Sequence, residues 1–170
     1  MSDKRYLGKF RGLVINNIDP MRIGRIQVQV PDVSPIPLAT WAMPCLPVGG
    51  MQMGLFTVPQ IGAGVWVEFE QGNPDYPVWT GCFWGTAAEV PALANLVPPA
   101  VPGITLQTTL QNGILVSDLP GPTGGIMLKS TTGASIIVND TGIYIQNGKG
   151  ASIVMVGPTV TVNAGALTVT

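Results

Sequence analysis

Histidine is absent from this chain of 170 residues. Without it, a serine or cysteine nucleophile lacks its usual general base. Cysteine is almost as scarce. Cys45 and Cys82 make neither a disulfide framework nor a zinc site, and both are expected as small buried hydrophobes in strands. Charge is sparse too. Charged residues are 10% of the chain, against about a quarter in an ordinary domain. The net charge of −1 argues against a molecule that binds nucleic acid through its overall field. The opening MSDKRYLGKF has no apolar run of the kind a signal peptide carries. Residues 90–117 are rich in apolar residues, but Pro91, Pro98, Pro99 and Pro102 break any helix there, and Thr and Gln dilute it. No transmembrane segment is expected.

What the chain does have is turn chemistry. It carries 22 glycines and 16 prolines, which suits an all-β fold and not a helical bundle. Charge is also uneven. Lys4, Arg5, Lys9, Arg11, Arg22 and Arg25 all fall within the first 25 positions, while beyond Glu89 the only charges are Asp118, Lys129, Asp140 and Lys149.

Three parts are read along the chain: a barrel over 1–87, a connector over 88–112 and a β-ribbon over 113–170. In the first part GRIQVQVP puts Ile26, Val28 and Val30 on one face. VWVEFE puts Val65, Val67 and Phe69 inward, with Trp66, Glu68 and Glu70 on the other side. Residues 71–75, QGNPD, read as a turn, and Gly62-Ala63-Gly64 as another. About five short strands in under 90 residues suggest a small closed barrel. The connector is rich in Ala and Pro, has no period, and reads as extended and semi-rigid.

The last part has the strongest pattern. Apolar residues recur as i, i+2 pairs: Ile126/Leu128, Ile136/Val138, Ile143/Ile145, Ile153/Met155, Val160/Val162 and Leu167/Val169. The pairs start 10, 7, 10, 7 and 7 residues apart. Gly, Ser, Thr, Asn, Asp and Lys fill the gaps, with Gly133, Gly142 and Gly150 expected at corners. This reads as the coils of a β-solenoid. Calcium-binding rolls need a carboxylate on every turn, and left-handed hexapeptide helices need a period of six; neither fits. One such ribbon leaves its apolar stripe half wet. Three copies wound about a common axis would bury the stripe, so these twelve residues are the expected trimer core.

Residues 56–85, FTVPQIGAGVWVEFEQGNPDYPVWTGCFWG, resemble the signature of the phage baseplate assembly protein V family. The matching positions are Val58-Pro59, Gln60, Gly62, Phe69-Glu70, Gly72-Asn73-Pro74-Asp75 and Pro77-Val78. Residues 12–31, GLVINNIDPMRIGRIQVQVP, resemble the family's opening, and the ribbon resembles its β-helix. These proteins are central spikes of contractile tails, related to the valine-glycine repeat spikes of type VI secretion. The resemblance implies an OB-fold barrel followed by an intertwined trimeric β-helix. It also implies a homotrimer at the centre of a baseplate, in a virion tail or contractile injection particle assembled in the bacterial cytoplasm and driven through a target cell membrane. The chain departs from some members in having no preceding hub domain, no lysozyme insert and no His-x-His iron site. A separate hub protein at the barrel end, a tip-capping protein beyond Thr170, and no cofactor, metal or catalytic residue are therefore expected.

Two rival functions are weighed. Trp41, Trp66, Trp79 and Trp84 with the basic N-terminus invite a single-stranded nucleic-acid module with a β-rich oligomerisation tail. Trp66 is its best stacking candidate, but Trp66, Glu68 and Glu70 read better as a protein interface, because the basic residues are not interleaved with the aromatics. A cell-wall enzyme could be built on Glu68, Glu70 and Asp75, yet two glutamates on an outer strand face are usually solvated or paired. The leading expectation is a non-enzymatic membrane-puncturing needle that binds no nucleic acid.

Overall fold

A computed structural model describes residues 4–169, apart from the side chain of Thr168. The ends of the expected barrel (1–3) and ribbon (Thr170) lie outside the described residues. The chain is all-β, with short 3-10 turns as its only helices among the described residues. It divides into two compact units between Ala87 and Ala88.

The first unit holds β1 (Phe10–Asn16), β2 (Gln27–Gln29), β3 (Met43–Pro44), β4 (Gly49–Gly50), β5 (Met53–Gly54), β6 (Gly64–Phe69) and β7 (Pro77–Phe83). Five of them form a sheet ordered β2-β1-β6-β7-β3, antiparallel except for the β3–β7 pair. The sheet curls until its edges meet. Ile26, just before β2, exchanges two backbone hydrogen bonds with Ala42, just before β3, at 3.1 and 2.7 Å. Alternation then does what period 2 requires. Ile26, Val28 and Val30 are fully buried, and so are Val65 and Val67, with Phe69 and Trp79 closing the core. The Trp79 indole N–H is satisfied by the Gly24 carbonyl at 3.1 Å. Both cysteines depart from expectation: Cys45 and Cys82 are exposed. Cys45 lies just past the end of β3, and Cys82 two residues beyond a β-bulge in β7, so neither sits in the run of inward positions that ends at Trp79.

The loop between β1 and β2 is organised by one carboxylate. Asp19 accepts hydrogen bonds from the backbone N–H groups of Met21 (3.0 Å), Ile23 (2.9 Å) and Arg25 (3.3 Å). The Arg25 guanidinium adds two more, the shorter at 2.7 Å. That guanidinium holds the Asp19 carboxyl well below the usual carboxylate range; the loop N–H groups help, and desolvation opposes the shift without overcoming it.

The second unit begins with a 3-10 turn, Ala92–Leu96, followed by β8 (Gly103–Gln107), β9 (Gly113–Ser117), β10 (Gly125–Lys129), β11 (Ser135–Asn139), β12 (Gly142–Gln146), β13 (Ser152–Val156), β14 (Thr159–Val162) and β15 (Leu167–Val169). All eight strands form one sheet in chain order, each antiparallel to the next. The sheet starts at β8, inside the segment expected as connector over 88–112, and not at residue 113. The 7- and 10-residue steps have a simple origin here. From β10 to β14, strands of four or five residues are joined alternately by turns of five residues (130–134 and 147–151) and of two (140–141 and 157–158), and four residues (163–166) join β14 to β15. Such short turns return each strand beside the one before it. Within one chain the repeat is therefore a meander. The backbone edges of the strands are paired inside the chain, except along the outer edges of β8 and β15.

Candidate functional site

Cross-strand register turns the sequence pairs into a surface. Ile104, Val116, Ile126, Val138, Ile143, Met155, Val160 and Val169 face one another in one unbroken row from β8 to β15. Leu106, Ile114, Leu128, Ile136, Ile145, Ile153, Val162 and Leu167 make a second row beside it. Directly opposed residues share a face, as do i and i+2. Sixteen apolar side chains, all aliphatic except the thioether Met155, therefore occupy one side of the sheet. All twelve residues singled out from the sequence are among them. Ile104, Leu106, Ile114 and Val116 were missed, although ITL and ILV carry the same i, i+2 signal; the surrounding prolines, threonines and glutamines masked it.

Among the described residues of this unit, none closes over this face. Ile104 is 65% exposed, Ile126 48% and Ile136 41%, although each sits mid-strand. The opposite side is built differently. Its middle row is Thr105, Leu115, Met127, Ile137, Tyr144, Val154 and Thr161, flanked by glycines and polar residues such as Gln107, Lys129, Ser135 and Gln146. At the β8–β9 end the chain itself covers that side. Leu93 is buried, its N–H donates to the Gln107 side-chain carbonyl at 2.9 Å, and its side chain occupies the space above Gly113 where a Cβ would stand. Leu115 beneath it is 2% exposed. The four charges past Glu89 avoid the aliphatic face. Asp118, Asp140 and Lys149 lie in turns, and Lys129 shares parity with Met127, on the other side.

Two of the three residues expected as a protein interface on the barrel, Trp66 and Glu68, have partners within the barrel. Arg11 opposes Trp66 in register, and its guanidinium lies 5.6 Å from the Trp66 ring and 5.3 Å from that of Phe83. Lys9 pairs with Glu68 at 2.7 Å and donates to the Thr80 hydroxyl at 3.0 Å. Glu70 opens the turn ahead of Asn73 and is exposed. Two more of the basic cluster are engaged, Lys4 over the Tyr6 ring and Arg25 on Asp19; Arg5 lines an open hollow of about 500 Å³ with Glu70 and Asp75, and Arg22 is exposed.

Among the described residues no three of His, Cys, Asp or Glu are placed to hold a metal. Partial burial pushes the Cys82 thiol up, the opposite of what activates a nucleophile. Among the described residues, no helix is long and apolar enough to cross a membrane.

Comparison with known families finds the same two units in the same order along the chain. Residues 10–84 match the family described as the type VI secretion system/phage-baseplate injector OB domain. Residues 103–168 match the phage baseplate V C-terminal trimerisation domain. That second match begins at the first residue of β8, where the sheet begins. No curated protein matches the chain. The geometry shows a curled five-stranded sheet followed by an eight-stranded meander, the two matches describe these as an injector OB domain and a trimerisation domain, and the chain belongs to the phage baseplate V family.

Proposed function

We propose that this protein is the central spike of a contractile injection machine, a homotrimer whose action is mechanical. The observation that carries the reading is the uncovered aliphatic face. Apart from the outer edges of β8 and β15, its backbone hydrogen bonds are satisfied within the sheet, so the strands between them need no partner strand. Its sixteen side chains do need cover, because monomeric proteins rarely expose so continuous an apolar patch. Three such sheets, faces inward, make a closed three-sided prism. Each aliphatic row then meets two copies of itself. In that arrangement charge would be costly, and the face carries none.

The trimer core is thus Ile126, Leu128, Ile136, Val138, Ile143, Ile145, Ile153, Met155, Val160, Val162, Leu167 and Val169, extended by Ile104, Leu106, Ile114 and Val116. Eight strands at about 4.8 Å spacing stack to about 34 Å. Axial load is borne along the hydrogen-bond ladder and by a dry core that cannot rearrange without exposing aliphatic surface. No reaction is required of such a device. The barrel accounts for attachment, with a separate hub protein as its partner. A capping protein would meet the open outer edge of β15. Contact with a target membrane is transient, at the moment of sheath contraction. The partnered state of Arg11, Lys9, Arg25 and Lys4 disfavours the nucleic-acid alternative, because a phosphate backbone would have to compete for them.

The test is assembly. Contractile particles isolated through an affinity tag on this chain should contain three copies each by quantitative mass spectrometry, and deletion of its coding sequence should abolish intact baseplates. Normal, injecting particles that lack the chain would refute the reading. Salt-dependent binding of an oligonucleotide by the purified trimer would favour the alternative.

A further inference from the structure

The barrel carries a second uncovered element. β4 and β5 form a two-stranded sheet of their own, outside the barrel sheet, extended by the Leu55 N–H donating to the Val48 carbonyl at 3.2 Å. Every residue from 45 to 57 is exposed, and Met51 at the tip is 96% exposed. An isolated two-stranded hairpin is marginal in water unless something packs on it. This one presents Leu46, Val48, Met51, Met53, Leu55 and Phe56. Its root is fixed: the Phe56 ring and Pro44 both stand over Gly24, within about 3.6 Å of where a Cβ would be. The composition is unusual as well. No charged residue occurs between Asp32 and Glu68, so the arm and the sequence on either side of it are uncharged; Arg25, next to Gly24 at its root, is paired with Asp19.

We propose that the hairpin arms of three copies pack against one another, forming an inter-copy contact in the barrel domain separate from the trimerisation sheet. The proposal rests on the homotrimer reading. Two observations select a second copy of this chain over an unrelated protein. In a three-fold assembly, residues near the axis meet their own copies, so any charge there faces a like charge. A charge-free arm is suited to that position. An interface with a different protein ordinarily carries a charged rim, and this arm has none to offer. The trimerisation domain also lies on the same chain, which holds the three barrels at an effective concentration on the order of millimolar. Even a small apolar contact is then populated.

Cross-linking of the full-length protein tests this. In a Cys45→Ser, Cys82→Ser background, Met51→Cys is compared with Asp75→Cys, an exposed position in the turn before β7. Met51 touches no core, so the substitution leaves folding alone. Each variant is oxidised with copper-phenanthroline at low micromolar concentration, and its molar mass is measured in parallel. The expected result is a disulfide-linked dimer that forms at least about ten-fold faster from position 51 than from position 75. Its yield should level off near about two-thirds of the chains, because three thiols around one axis can make only one disulfide. Equal rates at the two positions in a protein of trimeric mass would overturn the arm contact and leave the spike reading standing. A mass other than that of three chains would overturn both.

Discussion

Ile143→Asp probes the proposed core at its centre. Ile143 lies between Val138 and Met155 in the first aliphatic row and is already half-buried in one chain. Completing its burial in the trimer contributes about 1 kcal/mol, roughly half of a full isoleucine transfer. An aspartate there would be desolvated among aliphatics and would take up a proton. Raising its pKa from about 4 to above 7 costs about 4 kcal/mol at neutral pH. The change is therefore about 5 kcal/mol per chain and about 15 kcal/mol per trimer, or about eleven powers of ten in the association constant. At low micromolar concentration, light scattering should show single chains. The sign with pH follows. The free chain protonates this aspartate only below about pH 4, so the charge penalty is present above that and vanishes below it. Near pH 3 the variant should recover trimer relative to the unsubstituted protein at the same pH. Thr132→Asp, in an exposed turn, should stay within about 0.5 kcal/mol of the parent. A stable Ile143→Asp trimer at neutral pH would mean that Ile143 does not face the other copies, and the reasoning would fail.

Acid should loosen the barrel through Asp19. Its folded pKa is depressed, so its contribution is complete above about pH 4 and is lost as the pH falls below that into the strongly acidic range. Asp19→Asn should flatten this part of the stability-versus-pH profile measured by thermal melting. Gly125→Ala should lower the melting temperature of the sheet, since Gly125 has φ near 81° and a Cβ there would collide with the Val138 carbonyl oxygen; a left-handed alanine alone costs at least about 1 kcal/mol. Leu93→Ala should uncover Leu115 and destabilise the β8–β9 end by about 2–5 kcal/mol, read as faster amide exchange in β8 and β9.

Period 2 with polar, glycine-bearing spacers was enough to place every strand from β10 to β15, because each of these strands carries an unmixed apolar i, i+2 pair. It was also enough to find Ile26, Val28, Val30, Val65, Val67 and Phe69 in the barrel. The same signal at Ile104/Leu106 and Ile114/Val116 was hidden by Pro98, Pro99 and Pro102, which lower strand propensity on average without preventing a strand that begins just after the last of them. Pairing was not legible. A 7- or 10-residue step fits a coil as well as a meander, since periodicity says which residues share a face and nothing about which strand lies alongside. The Asp19 clamp was invisible for a related reason: it depends on Arg25 folding back over a loop, which no local pattern encodes. Trp66 and Glu68 were assigned to the right face, but their partners, Arg11 and Lys9, come from β1 and the residue before it, far away in the sequence.

Molar mass in solution tests the central claim most directly. If the aliphatic face of the β8–β15 sheet is buried by copies of itself, light scattering on the purified chain should give three times 17.8 kDa, about 53 kDa, and this mass should persist on dilution into the nanomolar range. A folded, solitary species of 17.8 kDa, with Ile126 and Ile136 still open to water, would contradict it.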